Sequence, residues 1–194
     1  MSDSKRDLKI KMGAISKRET FEKLRVILNA VLFQCLWFSV MVFEQRYFEV
    51  FLGALMVQFF YQWYVVKVKV VFMMPLVVFV LGVCIDISYT AMGLFNFTDE
   101  TINSNVTDIR LFSIPLWLVV MWLGFVLTLQ HSLQWLIQRR YMCILVFAIS
   151  GAVSYIAGRR FGMIGFEDVV GLYLIFSWAL VGWVTSLNMT KKQP

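Results

Sequence analysis

The sequence predicts an all-α membrane protein, a polytopic bundle of about six transmembrane helices with both termini in the cytoplasm. Three observations carry that prediction. Hydrophobic residues make up 60% of the 194-residue chain and the mean hydropathy is +0.73, whereas a soluble domain is roughly 45–50% apolar. Charged residues are 15% of the chain, against about 25% in a soluble domain, and they cluster between long apolar runs. The basic residues also fall mainly on one side of the predicted spans. A soluble domain of this length has too much surface to hide so many Phe, Trp, Val and Leu side chains.

The chain opens on a basic segment, residues 1–25, that holds eight of the 18 lysines and arginines. Asp3, Asp7, Glu19 and Glu22 are interspersed. The mixture reads as a cytoplasmic tail meeting anionic lipid headgroups, and argues against a nucleic-acid partner. No cleavable signal peptide is expected, because the basic region is long and no small-residue cleavage site follows the first apolar run.

A bilayer core about 30 Å thick needs about 20 apolar helical residues. Stretches 26–43, 47–66, 70–95, 111–130, 141–157 and 169–187 qualify, giving a transmembrane domain over 26–187 and a short cytoplasmic tail over 188–194. Membrane β-strands are excluded, since they would be far shorter and alternate in polarity. With the N-terminus inside, fourteen lysines and arginines lie on the inner side and four (Arg46, Arg110, Arg159 and Arg160) on the outer side. The longest loop, "NFTDETINSNVTDIR", falls outside. Its triplets at Asn96 and Asn105 resemble glycosylation acceptors and matter only in a eukaryotic secretory pathway. No internal repeat supports an inverted-repeat transporter. Cys35, Cys84 and Cys143 lie far apart within apolar stretches and read as packing residues. No cofactor motif or metal-ligand cluster is present in the sequence. Pro75 and Pro115 sit near span starts, where a missing N–H costs least. The aromatic residues are expected to face lipid or the interfaces.

Polar side chains inside lipid are costly, so each is a candidate functional residue. His131, Gln34 and Gln58 each lie about 12–13 Å from the inner edge, with Asn29, Gln62 and Gln134 nearer the cytoplasm. At about 100° per residue, Gln130, His131, Gln134 and Gln138 share one arc of a helix continuing past the fourth apolar stretch, with Trp135 as an interfacial anchor. His131, the only histidine, reads as a hydrated interfacial residue or as a proton carrier or headgroup ligand. Ser132 points about 100° away, so a Ser–His pair within that helix is disfavoured.

In the outer half, Asp86 is the one acid deep within an apolar stretch, about 24 Å above Val70. Gly82, Tyr89, Thr90 and Gly93 share its face. Ser150, Ser154, Gly158 and Gly162 recur every fourth residue, a ladder suited to close helix approach. Arg159 lies about 27 Å above Tyr141. Its depth, with that of Arg160, predicts an Asp86–arginine pair, because a lone buried carboxylate is expensive. The alternatives are that Glu167 and Asp168 neutralise the arginines locally while Asp86 is protonated or hydrated, or that the arginines hold a lipid phosphate. Asp86 and His131 differ by about 12 Å in depth and cannot form one dyad.

"NAVLFQCLWFSV", "IPLWLVVMWLGFVLTLQHSLQWL" and "AISGAVSYIAGRRFG" together resemble the domain-of-unknown-function family 2878 of small bacterial inner-membrane proteins. The resemblance spans residues 29–187. It implies a bacterial inner membrane and an association with fatty-acid-modifying enzymes, and it assigns no catalytic residue. Two functional classes follow: a lipid-handling protein, itself an enzyme or an accessory to lipid-modifying enzymes, and a small transporter or channel with a polar intramembrane path. The basic-residue asymmetry predicts that reporter fusions at Pro194 read cytoplasmic and fusions near Asn103 read external. A periplasmic signal from the C-terminal fusion would overturn the topology.

Overall fold

The computed structural model describes residues 2–43, 48–66, 73–97, 110–111, 113–129 and 131–187. It is all-α apart from one small hairpin. Helix α1 is Ser2–Phe43, α2 is Phe48–Phe60 and α3 is Met73–Ala91; a π-helical segment, Tyr61–Val66, continues α2. Strands β1 (Arg110–Leu111) and β2 (Ile114–Pro115) pair antiparallel in the register Arg110↔Pro115 and Leu111↔Ile114. Helices α4 (Leu116–Leu129), α5 (Gln134–Ile137), α6 (Arg140–Arg160) and α7 (Asp168–Leu187) complete the chain.

Among the described residues, four helices are long and apolar enough to cross a membrane, over Glu19–Met41, Met74–Ala91, Arg140–Arg160 and Asp168–Leu187. Their outward faces carry large apolar side chains, such as Leu145, Ile149 and Val153 on α6 and Leu172 and Phe176 on α7. No break separates the basic tail from the first apolar stretch, since α1 is continuous through both. Most of the outer loop lies outside the described residues. So do Thr98, the Asn105 triplet and the C-terminal tail.

Helix α4 departs most from the sequence reading. It was expected to run from Leu111 past Gln130, but the hairpin occupies 110–115 and the helix stops at Leu129. At about 1.5 Å per residue, its 14 residues span only about 21 Å. The reason is placement: α4 is the central helix, packed on α1, α2 and α3, and is apolar all round. At its two ends Ile114 and Ser132 are buried in protein, where irregular backbone is tolerated.

The predicted amphipathic continuation is also broken. Thr128 turns its hydroxyl to the Phe125 carbonyl (2.6 Å), and the His131 and Leu133 amides both return to the Thr128 carbonyl (3.2 and 3.0 Å). Ser132 donates to the Val26 carbonyl of α1 at 2.9 Å. Polar side chains that find tertiary partners thus end the helix, and Gln134 begins the separate short α5.

Helices α6 and α7 pair tightly because Gly182 faces the backbone at Cys143 and Ile144, with 3.0 Å separating a Cβ built there from the Cys143 oxygen. Gly151 meets the Trp178 indole, and Gly82 of α3 meets that of Trp122. The close approaches therefore fall beside the predicted ladder. Of its members, Ser150 and Ser154 bond back to their own helix, while Gly162 (φ +77°) is the left-handed residue just past the end of α6. Beyond the ends of α3 and α6, Asn96 and Gly165 exchange backbone hydrogen bonds of 2.8 and 2.6 Å, tying the segment after α3 to the segment before α7.

These contacts predict opposite outcomes at two glycines. Gly151→Val drives a side chain into Trp178 and is expected to destabilise the protein by about 1–3 kcal/mol. Nothing lies within 4 Å of a Cβ at Gly53, so Gly53→Ala is expected to stabilise by about 0.5–1 kcal/mol. Thermal unfolding in detergent checks both.

Candidate functional site

Asp86 is only 1% exposed and sits where α3, α4 and α6 meet. Trp122 of α4 donates its indole N–H to Oδ2 at 2.6 Å. The Tyr155 hydroxyl of α6 lies 2.7 Å from Oδ1 and 2.8 Å from Oδ2. A phenol so placed can donate to one oxygen and, when the carboxyl is protonated, accept from the other. The centre therefore holds a carboxylate or a carboxylic acid without rearranging.

The aromatic residues around this centre do not merely face lipid, as the sequence had suggested. Trp122 stacks on Trp178 of α7, with centroids 5.0 Å apart and planes 11° apart. Phe125 meets both indoles edge-on. Phe95 stacks on Tyr155 at 5.6 Å, just before the Asn96–Gly165 bridge. Tyr89 reaches α7 through the Tyr173 carbonyl (3.0 Å) and the Ser177 hydroxyl. Helices α3, α4, α6 and α7 are thereby locked at one depth, and Gly82 and Gly151 provide the space for the two indoles.

The predicted Asp86–arginine pair does not form. Arg159 instead donates to Asp168 at 2.5 Å and lies over the Phe166 ring at 5.1 Å. Each charge suits its own helix end, Arg159 in the last turn of α6 and Asp168 in the first turn of α7. Arg160 is exposed beside it. Equal depth brought Asp86 and the arginines to one level, but the inward face of α6 there is supplied by Tyr155. Trp122 and Tyr155 were the functional residues that polarity alone missed. The available signal was that buried indole and phenol groups usually find hydrogen-bond partners.

One face of this centre opens into a groove of about 360 Å³ between α1 and α6, floored by α4 and α7. Phe33, Gln34 and Trp37 form one wall and Ser150, Ser154 and Tyr155 the other, with Trp122, Phe125 and Trp178 between them. Its volume lies within the roughly 300–1,000 Å³ of small-molecule clefts. Asp86 does not line the groove; it holds in place two residues that do. A second groove of about 440 Å³ between α2 and α3 is lined by apolar side chains apart from Gln62.

The remaining candidates lie elsewhere. Gln134 is exposed on α5. His131 is half-buried in the turn after α4, and burial lowers its pKa below the ordinary imidazole value of 6.5. Glu22 opposes that shift, Arg25 opposes it through its backbone carbonyl, and the Arg25 charge reinforces it. A neutral folded imidazole costs stability as pH falls below about 6.5. Gln58 is fully buried and donates to the Gly124 carbonyl at 3.0 Å. Gln62 donates to that of Leu127. Gln58, Gln62 and Asn29 are thus all buried, whereas Gln34 lines the groove. Among the described residues, no group of three or more His, Cys, Asp or Glu side chains could hold a metal ion.

Long apolar helices with outward-facing hydrophobic side chains, closed around a buried acid, define a helical membrane protein. The chain belongs to a family described as a protein of unknown function (DUF2878), whose profile matches residues 26–184. Comparison with curated proteins and with solved structures yields no match.

The geometry predicts that Tyr155→Phe, which leaves Asp86 with one donor, costs about 1–3 kcal/mol. In a double-mutant cycle, Tyr155→Phe and Asp86→Asn should be strongly non-additive, while Arg159→Ala and Asp86→Asn should add within about 0.5 kcal/mol. Equilibrium unfolding in mixed detergent micelles reads both cycles.

Proposed function

We propose that this protein is a lipid-binding subunit of the bacterial inner membrane, accessory to the modification of membrane lipid or fatty-acyl chains. In this reading six helical segments cross the membrane, both termini are cytoplasmic, and lipid-modifying enzymes are the partners. The groove between α1 and α6 carries the proposal. It combines an aromatic floor with Gln34, Ser150 and Ser154 on its walls, and the helices that form it are apolar enough to lie within the bilayer. An occupant entering from lipid is an amphiphile: its chain meets Trp37, Phe125 and Trp178, and a polar substituent meets the carboxamide or hydroxyls. The Asp86 centre keeps the floor rigid, which lowers the ordering cost of binding. The wholly aliphatic or aromatic side chains of the second groove, Gln62 excepted, offer fewer means of orienting a substituted chain.

A photoreactive fatty acid incorporated into membrane lipid is expected to crosslink to α1 and α6 residues of the groove. Ser154→Trp, which fills the groove, should reduce that labelling about tenfold or more while the protein still accumulates, each tenfold being about 1.4 kcal/mol. Lipid analysis of a deletion strain should show an altered fatty-acyl profile, restored by the wild-type chain and not by Ser154→Trp. Labelling spread evenly over the outward faces of α6 and α7, unchanged by Ser154→Trp, would refute the proposal.

A further inference from the structure

A separate seam, between α1, α2 and α4, contains polar atoms that the groove does not use. Asn29 is fully buried, and neither its oxygen nor its nitrogen has a hydrogen-bond partner among the described residues. Gln58 is equally buried; its Nε2 is committed to Gly124, which leaves Oε1 unpartnered. The Nε2 of His131 is buried without a partner as well.

Register places these atoms in one column. On α1, Asn29, Phe33, Leu36 and Val40 fall within an arc of about 60°. Phe33 and Leu36 on that stripe reach Gly124 of α4, where the Gln58 carboxamide also arrives. Lower down, Ser132 binds the Val26 carbonyl and Tyr61 binds that of Arg25 at 3.2 Å, beside His131. Asn29 lies between these two fixed levels along α1, and at the same end of α4 Gln62 binds the Leu127 carbonyl. From Arg25 to Phe33 the column rises about 12 Å.

The unpartnered atoms are rich in acceptors. The Asn29 and Gln58 oxygens accept, and the His131 Nε2 accepts when its other nitrogen holds the proton; only the Asn29 amide donates. Within an apolar bundle such groups are costly unless filled, and the filler must bring donors. Water meets that need, since a buried water typically makes about three hydrogen bonds to otherwise unsatisfied polar groups. We propose that a short file of water enters the bundle beside His131, passes Asn29 and ends at Gln58, forming a closed hydrated inlet with the imidazole at its mouth. It stops there because Phe33, Leu36 and the Gly124 backbone fill the next level. Phe33 and Phe125, with ring centroids 6.1 Å apart, separate it from the Asp86 centre. The inlet is thus independent of lipid binding in the groove.

The test uses Ag⁺, a water-borne thiol reagent small enough for a narrow file, on full-length protein in nanodiscs. The background carries Cys35→Ala, Cys84→Ala and Cys143→Ala. Asn29→Cys and Gln58→Cys report on the seam, and Val40→Cys, on the same buried stripe above it, is the dry reference. Blocking by Ag⁺ is read as lost maleimide labelling after denaturation. Thiols at positions 29 and 58 should be blocked at least about tenfold faster than the thiol at 40, because Ag⁺ captures a thiolate that water must solvate. Adding His131→Phe should slow that blocking. If Asn29→Cys does not accumulate, Gln58→Cys reads the same seam from α2. Equal, slow blocking at 58 and 40 overturns the inlet, whatever the outcome of lipid crosslinking.

Discussion

A carboxyl group deep in an apolar bundle must be satisfied by hydrogen bonds, and one half of this protein is organised around that requirement. Asp86 receives Trp122 and Tyr155, so the acid of α3 fixes the positions of α4 and α6 together. Each donor then imposes a further demand. The Trp122 indole needs Gly82 beneath it and stacks on Trp178, and Trp178 in turn needs Gly151. Tyr155 is backed by Phe95, whose neighbour Asn96 closes that end of the bundle through Gly165. Helices in lipid gain little from the hydrophobic effect between them, so close packing and interhelical hydrogen bonds must hold them. The Asp86 centre supplies both.

The same constraint accounts for α4. A helix packed against neighbours over most of its surface need not match the bilayer, and α4 is too short to do so. Its ends are completed by the hairpin and by the turn carrying His131 and Ser132. Because neighbours surround α4, its backbone carbonyls can accept side-chain bonds from outside the helix, as Gly124 and Leu127 do from Gln58 and Gln62. Glycine at 124 lets α1 and α2 approach that carbonyl. The helix thus works as a shared surface, with indole and phenyl groups toward α6 and α7 and backbone acceptors toward α2.

Much of this architecture was legible in the sequence. Apolar length marked the long helices, and the polarity of Asp86, Asn29, Gln58 and Gln62 within apolar stretches marked residues that the fold buries. Partners were less legible, because depth sets a level and not a direction. Arg159 and Tyr155 are four residues apart on α6 and both approach the level of Asp86. Yet Arg159 is at the helix end, where Asp168 and water compete for it, while Tyr155 faces inward. A search for charge selects the arginine; the requirement that a buried phenol be satisfied selects the tyrosine. The break after Leu129 was hidden for a similar reason. Nothing local to Thr128, His131 or Ser132 forbids a helix, and their carbonyl partners include one more than a hundred residues away on α1.

The division of α4 into two faces bears on function. A transporter that moved a proton from the His131 mouth to Asp86 would need a polar connection between them. Instead, Phe33 and Phe125 fill the space where the inner seam approaches the groove, and Phe125 also packs against Trp122 and Trp178. Opening a passage would mean displacing a ring held from three directions, at a packing cost the bundle has no evident means of recovering. The two polar layers therefore serve separate tasks. Asp86 holds the aromatic floor of the groove in place, and the seam between α1, α2 and α4 gathers polar groups at the His131 end. The proposed lipid-binding role needs only the first of these layers, whereas conduction of a solute would need the two joined.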